Sequence, residues 1–405
     1  MKAGWQIKSL GEVCEFQRGL TYAKGDEVDA SNNVVLRATN IDLATNLLDL
    51  NELKYINDSV VVDVSKKVKK DSLLICTASG SKSHLGKVAY IDDDYGFAFG
   101  GFMGMLTPSE SLLPRYFFHL MTSCAYKDFI ADLADGANIN NLKFSDLQRF
   151  PVPLPPLPDQ RRIVAILDEA FDGIATAKAN AEKNLQNARA LFESHLQSVF
   201  TERGEGWVEK LLEEVVDVQC TLSYGIVQPG HEFPNGMPVV RPTDLTTKTI
   251  SREGLKLIDP KLADGYRRTT LRGGELLLCV RGSTGVLAVT SPELAGANVT
   301  RGIVPIMFDP SLLRQDFGYF LMTSEAVQSQ IRAKTYGAAL MQINIGDLRK
   351  IAVSFPPLME QEKMTAKLEE LDSETQRLES LYQQKLSALD ELKKSLLHQA
   401  FSGAL

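Results

Sequence analysis

The chain has 405 residues, 44% of them hydrophobic and 23% charged, which excludes a disordered polyelectrolyte and suits two or three folded domains. Its net charge of −7, from 51 acidic and 44 basic side chains, says nothing about the sign of a local groove. No apolar run approaches the ~18 residues of a membrane span, and the opening residues 1–8 hold no apolar stretch for a signal peptide, so the expected setting is cytoplasmic, with no membrane partner.

From the amino terminus, short β-branched runs broken by Gly, Asn and Asp read as strands, among them Val34-Val35-Leu36 and Leu73-Leu74-Ile75-Cys76. Residues 116–133 read as one helix. A proline cluster follows (Pro151, Pro153, Pro155, Pro156, Pro158) and reads as a rigid joint, with Asp159 placed where a helix dipole favours a carboxylate. Beyond it Leu167, Ala170, Ile174, Ala177, Ala181, Asn184, Ala188, Leu191 and His195 fall at alternating three- and four-residue steps. The second half repeats the order. Leu276 to Val280 and Gly302 to Ile306 read as strands, residues 317–333 as a helix, and Pro356, Pro357 and Glu360 as the joint. A second seam then runs through Leu368, Leu371, Thr375, Leu378, Tyr382, Lys385, Leu389, Leu392 and Leu396. Both seams turn polar at one step, Asn184 or Lys385, and offer Leu185 or Leu386 one residue later. Such spacing signals a coiled coil. About 40 residues at 1.5 Å each give a rod of roughly 60 Å.

The two halves are copies. Leu120-Met121-Thr122-Ser123 recurs as Leu321-Met322-Thr323-Ser324, and Pro155-Pro156-Leu157 as Pro356-Pro357-Leu358, both 201 residues on. Gly4-Trp5 answers Gly206-Trp207, and Arg37-x-Thr39 answers Arg241-x-Thr243. So long a period excludes a solenoid. The expected architecture is an α+β chain with a pseudo-twofold internal repeat: two tandem globules of mixed α/β structure, each followed by a long coiled-coil helix. The expected divisions are 1–150 and 206–350 for the globules, and 151–205 and 351–405 for joint plus helix.

A search for chemistry finds none. The five cysteines and five histidines are scattered, with no C-x-x-C pair, so neither a disulfide frame nor a metal site is expected. Ser354-Phe355-Pro356-Pro357-Leu358 lacks the amide or carboxylate with which a methyltransferase holds its target amine. Gly80 to Val88 has one residue too many for a phosphate loop and ends in Val88 where Ser or Thr must hold magnesium. Glu52-Leu53-Lys54 has a nuclease-like spacing without the upstream Pro-Asp.

The segments Pro155-Pro156-Leu157-Pro158-Asp159-Gln160-Arg161-Arg162-Ile163 and Pro356-Pro357-Leu358-Met359-Glu360-Gln361 resemble the P-P-L-x-E-Q-x-x-I signature of the specificity subunits of Type I restriction–modification enzymes. The domain openings, Gly4-Trp5 through Val13 and Gly206-Trp207 through Val215, resemble that family too. The resemblance covers the whole chain. Asp159 replaces the usual Glu in the first copy, and Lys363-Met364-Thr365 stands where the second usually has an aliphatic. The resemblance implies that each globule is a target-recognition domain reading one half of a split, asymmetric site in double-stranded DNA. It also implies that antiparallel helices set the spacing and dock two methyltransferase subunits, with translocase–nuclease subunits joining for restriction. This chain would be non-catalytic and bind no cofactor, S-adenosylmethionine belonging to the methyltransferase.

Loops rich in Arg, Lys, Asn, Gln, Ser and Thr supply the candidate DNA contacts, since these types read base edges and phosphates. In the first domain these are Arg18, Thr21, Tyr22 and Lys24, then Ser81, Lys82, Ser83 and Lys87, then Asn140, Asn141 and Lys143. In the second they are Thr221, Ser223 and Tyr224, then Arg267 and Arg268, then Arg281, Ser283 and Thr284, then Gln342 and Asn344. Arg37 and Arg241 suit a structural ion pair as well as a phosphate contact. The candidate helix-helix and partner seam is Leu167, Ile174, Leu185, Leu191, Leu368, Leu371, Leu378, Leu389 and Leu392. A structural adaptor that binds protein, or a self-contained DNA-modifying enzyme, remains the alternative at this point.

Overall fold

The computed structural model describes residues 4–80, 84–135, 141–338 and 340–405. It divides into two units, Met1–Glu182 with Gln383–Leu405, and Lys183–Tyr382. Two helices of 45 residues, Leu157–Thr201 and Leu358–Ser402, each contribute a segment to both units.

In the first unit, one sheet orders Cys14–Arg18, Met103–Pro108, Ser72–Cys76 and Val88–Ile91, all antiparallel. Ser72–Cys76 is central and wholly buried, as its unbroken Leu-Leu-Ile run suggests. A second sheet orders Glu27–Val28, Lys54–Ile56, Asn33–Leu36 and Ala98–Phe99, and its last pair is parallel. The second unit repeats the plan. Thr249–Ile250, Leu287–Thr290, Leu276–Cys279 and Ile303–Ile306 form one sheet, while Lys256–Ile258, Met237–Val240 and Asn298–Val299 form the other. There too the last pair is parallel.

The segment leading into the joint is a strand in each copy. Pro151–Leu154 pairs antiparallel with Gln6–Ser9, and Ala352–Phe355 with Val208–Leu211. A two-stranded ribbon has only edge strands, where a missing N–H is tolerated. The ribbon ties the start of each globule to its end. This explains why Gly-Trp recurs: Gly4 and Gly206 both take a positive φ, +88° and +83°, just before the opening strand.

The buried amides of Gln160 and Gln361 lock the joint. Gln160 Oε1 accepts from Leu113 N at 2.7 Å, and its Nε2 donates to the carbonyls of Ser111 and Pro155, both at 2.9 Å. Gln361 accepts from Arg314 N at 2.9 Å and donates to Leu312 and Pro356, at 2.9 and 2.8 Å. Each glutamine thus fastens the globule to the first turn of its long helix. Asp159 and Glu360 lie in that same first turn.

The helices expected over 116–133 and 317–333 are each two. Pro114–Leu120 and Cys124–Asp135 meet at Thr122-Ser123, and Gln315–Thr323 and Glu325–Ala333 at Thr323-Ser324. At both corners the hydroxyls turn back onto the preceding carbonyls. Ser123 and Ser324 donate to Leu120 and Leu321 at 2.7 Å, and Thr122 and Thr323 to His119 and Phe320 at 3.0 Å. These bonds compete with continued helix, so the repeated Leu-Met-Thr-Ser marks a corner.

The long helices run antiparallel within each unit. In the first, Ile163 and Leu167 share a core with Leu397, Ala400 and Tyr116, Arg162 donates to the Leu405 carbonyl at 2.9 Å, and Lys178 pairs with Asp390. In the second, Leu196 and Phe200 share a core with Leu368, Phe317 and Phe320, and Arg189 pairs with Glu379 at 2.6 Å. Leu167, Ile174 and Leu368 are buried, and Leu185, Leu371, Leu378 and Leu389 half-buried. Two seam assignments need correction. Leu191 is 69% exposed and Leu392 47% exposed, so neither joins the helix-helix contact. An α-helix drifts about 20° per heptad from a strict 3.5-residue repeat. The contact line therefore shifts toward Leu185, Phe192 and Leu196 in the first helix, while in the second Leu389 and Leu396 keep their places and Leu386 and Leu397 join them.

Candidate nucleic-acid interface

Each unit carries an open cleft where its parallel strand pair ends. In the first unit Gly100 N donates to Leu36 O at 2.9 Å, and Leu20 N to Phe99 O at 2.7 Å. Gly19 permits that approach, because a Cβ there would lie 2.0 Å from Gly100 O. The second unit repeats it: Thr300 N donates to Val240 O at 2.9 Å and Ile226 N to Val299 O at 2.8 Å, and a Cβ on Gly225 would lie 2.0 Å from Val299 O. Chain leaving these strands lines clefts of about 590 Å³ and 580 Å³.

The first cleft is lined by Thr21, Tyr22, Lys24, Arg37, Thr39, Ser79 and Phe102, among others. Arg37 has a buried Nε with no hydrogen-bond partner. Glu27 also faces the cleft, but an ion pair with Lys54 at 2.5 Å occupies its carboxylate and holds its pKa below the usual value. Burial raises the Tyr22 phenol, which stays a neutral donor. Phe102 is 74% exposed at the rim, an unusual position for a large aromatic ring.

Arg241, Thr243, Arg281, Ser283, Arg301 and Leu340 line the second cleft. Arg241 is the ion-paired member of the Arg-x-Thr pair, its Nη2 and Nε lying 2.8 and 3.1 Å from the two Asp244 oxygens. The Arg281 Nε is buried and unpartnered. Arg37 and Arg281 thus line the two clefts, and guanidinium groups there suit anionic phosphates and acceptor base edges.

The remaining candidates distribute unevenly. Arg18 lies over the Phe144 ring, 5.6 Å from its centroid, one residue before Gly19. Asn141 bridges to Ala78, and Gln342 to Arg281, so both approach their clefts along equivalent backbone. Lys143 is exposed at the start of Phe144–Leu147. Lys87 turns inward: its Nζ donates to Ile41 O at 3.2 Å, and burial lowers its pKa. Thr221 and Ser223 lie 3.3 Å apart, hydroxyl to hydroxyl, and the Tyr224 hydroxyl accepts from Ile345 N at 3.2 Å. Thr284 donates to Met341 O at 3.3 Å, and Asn344 caps Ile345–Arg349 through Asp347 N at 2.8 Å. Arg267 and Arg268 line a separate pocket of about 190 Å³. Ser81, Lys82, Ser83 and Asn140 lie outside the described residues. Phe102 and Arg301 were missed by sequence reasoning. Their only signal is their place beside Gly100-Gly101 and Gly302, at the ends of otherwise buried strands.

Among the described residues no group of three or more His, Cys, Asp or Glu side chains is arranged to hold a metal ion, and no helix is long and apolar enough to cross a membrane.

Two copies of one mixed α/β globule, each with a cation-bearing cleft and each seated on segments of paired long helices, define a duplicated recognition subunit. The chain matches the Type I restriction modification DNA specificity domain twice, over residues 2–186 and 204–387, and belongs to that family of specificity subunits. It is 24% identical to the EcoKI specificity subunit of Escherichia coli strain K12 over 429 residues, covering 99% of this chain and 89% of that one. Its identity to the StySPI specificity subunit of Salmonella potsdam is also 24%, covering 99% and 89%. The fold is similar to that of a chain solved in work on complex assembly and conformational transition of the type I restriction–modification system, with a TM-score of 0.80 at 20% identity and coverage of 100% and 99%. It also resembles the HsdS subunit from Thermoanaerobacter tengcongensis, with a TM-score of 0.62 at 19% identity and coverage of 100% and 98%. The chain is a DNA specificity subunit, the non-catalytic component of its system.

Proposed function

We propose that each cleft reads one half of a split, asymmetric site in double-stranded DNA, with residues 1–150 and 206–350 acting as separate target-recognition domains and the helices setting the gap. The observation that carries this reading is the recurrence of one cleft architecture, built on the close strand approach at Gly19 or Gly225 and lined by arginine in both copies (Arg37 in the first; Arg241, Arg281 and Arg301 in the second), with different side chains around it. A shared frame with divergent lining is what two readers of different sequences need. In this reading the cleft residues Thr21, Tyr22, Lys24, Arg281 and Ser283, with Phe102 and Arg301, make the first contacts. The chain assembles with two methyltransferase subunits, which hold S-adenosylmethionine, and with translocase–nuclease subunits, in the cytoplasm.

The test is a domain exchange. Residues 1–150 are replaced by the corresponding domain of another family member, the chimera is co-expressed with its methyltransferase, and methylated adenines are mapped across a genome. One half-site changes and the other stays. If both change together, the two-reader model is wrong.

A further inference from the structure

We propose that Arg267, Arg268 and Arg272 form a phosphate-binding pocket that grips the DNA backbone beside the second cleft, contributing position and no sequence information. The proposal rests on the DNA-reading function above and assigns one part of it. The three arginines line a pocket of about 190 Å³, room for one phosphodiester group. None of them forms an ion pair within 4.0 Å among the described residues. The acid in the pocket wall, Glu275, is 2% exposed and engaged elsewhere: its carboxylate accepts from Arg272 N, from Gly273 N at 2.9 Å and from the Thr290 hydroxyl at 2.8 Å. Three arginines without an ion pair are thus gathered around one small space, which suits an anion with several acceptor oxygens.

The repeat supplies an independent argument. Leu271 N donates to Ala297 O at 2.8 Å, and in the first unit Val68 N donates to Phe97 O at the same distance. Val68 is the centre of the run Lys66-Lys67-Val68-Lys69-Lys70, so a basic segment stands at the same place in both copies. In each copy the neighbouring strand, Ala98–Phe99 or Asn298–Val299, runs directly into the cleft wall at Gly100 or Thr300. Residues that read bases must differ between domains that read different sequences, as Tyr22 and Phe102 differ from Gln228 and Gly302. Phosphates are the same in every half-site, so positive charge that persists while the cleft lining diverges marks the backbone contact.

The experiment compares the wild-type chain with the triple variant Arg267→Gln, Arg268→Gln and Arg272→Gln, each co-purified with the methyltransferase. Affinity for a cognate duplex and for a scrambled one is measured over a range of salt. Losing one phosphate contact lowers the slope of log K against log salt by about 0.9 on both duplexes, while the methylated sequence stays the same. An unchanged slope overturns the proposal, and so does a changed recognition sequence, which makes the triad a base reader. A thermal shift with inorganic phosphate that the variant loses, alongside an unchanged DNA slope, also overturns it, by making the pocket a site for a free anion. If the wild-type complex itself shows no salt-dependent DNA binding, the DNA-reading function fails rather than this assignment. Circular dichroism checks the fold of the variant, whose three altered side chains are exposed.

Discussion

Gln160 and Gln361 show how one side chain converts a sequence signature into geometry. Each satisfies one backbone N–H and two carbonyls at a buried joint, so Gln361→Leu strands three groups at a cost of about 1–3 kcal/mol for each one left unpaired. The urea midpoint of the variant falls, while the conserved-volume swap Gln361→Glu recovers the accepted bond from Arg314 but neither donated one. The glutamines were legible as part of a motif, but their role was not, because their partners lie about 49 residues back in the chain, at Ser111 and Leu312. A second residue-scale device exists in one copy only. Buried His119 bonds through Nε2 to Asp168 at 2.8 Å, and Arg115 bonds to the same carboxylate at 2.6 Å. Burial lowers the His119 pKa to about 4 from 6.5. Burial alone would raise Asp168, but its bonds from Arg115 and His119 outweigh that and hold it below the usual value. Between pH 6.5 and 4 the unfolded chain takes up a proton at this histidine that the folded chain does not, so stability is lost as pH falls through that window. The repeat places Phe320 at the equivalent position. His119→Phe therefore narrows the difference in urea midpoint between pH 7 and pH 4.5, and an unchanged difference rules out His119 as its source.

At the scale of elements, periodicity found the long helices because their apolar spacing persists over four heptads, and it failed where a strict heptad stops describing an α-helix. Leu191 and Leu392 are that failure, and they are equivalent positions 201 residues apart. Leu191→Asp and Leu392→Asp should change the stability of the isolated chain by no more than about 0.5 kcal/mol, as exposed substitutions do. Ile174→Asp or Leu368→Asp forfeits roughly 1.5–3 kcal/mol of burial and adds an unpaired carboxylate. Thermal unfolding separates the two pairs. If the exposed pair instead abolishes co-purification with the methyltransferase at unchanged stability, those leucines belong to the partner surface. The strands were legible where both faces are buried, as in Leu73 to Cys76. Single helices were expected over 116–133 and 317–333 because hydrophobic spacing carries through the Thr-Ser corner, while the hydroxyl-to-carbonyl bonds that break it leave no trace in a periodicity.

For the whole molecule, the division into units is not the division into repeats. The second unit is one continuous stretch, Lys183–Tyr382, whereas the first is assembled from Met1–Glu182 and Gln383–Leu405. A chain ended after Tyr382 lacks Leu397 and Ala400, two members of the core that holds Ile163, Leu167 and Tyr116. Limited proteolysis of that truncated chain cuts first within residues 4–182 and spares the second globule; equal cutting of both would show that the terminal segment carries no weight in the first core. Sequence repetition suggested two self-sufficient halves, since self-comparison detects what is duplicated and not what is exchanged between the copies. The discontinuity also imposes an order on the birth of the protein. On the ribosome, the first globule emerges with one wall of its core absent, and at about 5–20 residues per second it waits roughly 10–40 s for the segment that completes it. The second globule, encoded without interruption, is finished earlier although it starts later. A nascent chain held with everything up to residue 382 outside the ribosome and the following segment still inside would therefore display a protease-resistant downstream half and an upstream half still open to chaperones, the reverse of the usual first-made, first-folded sequence.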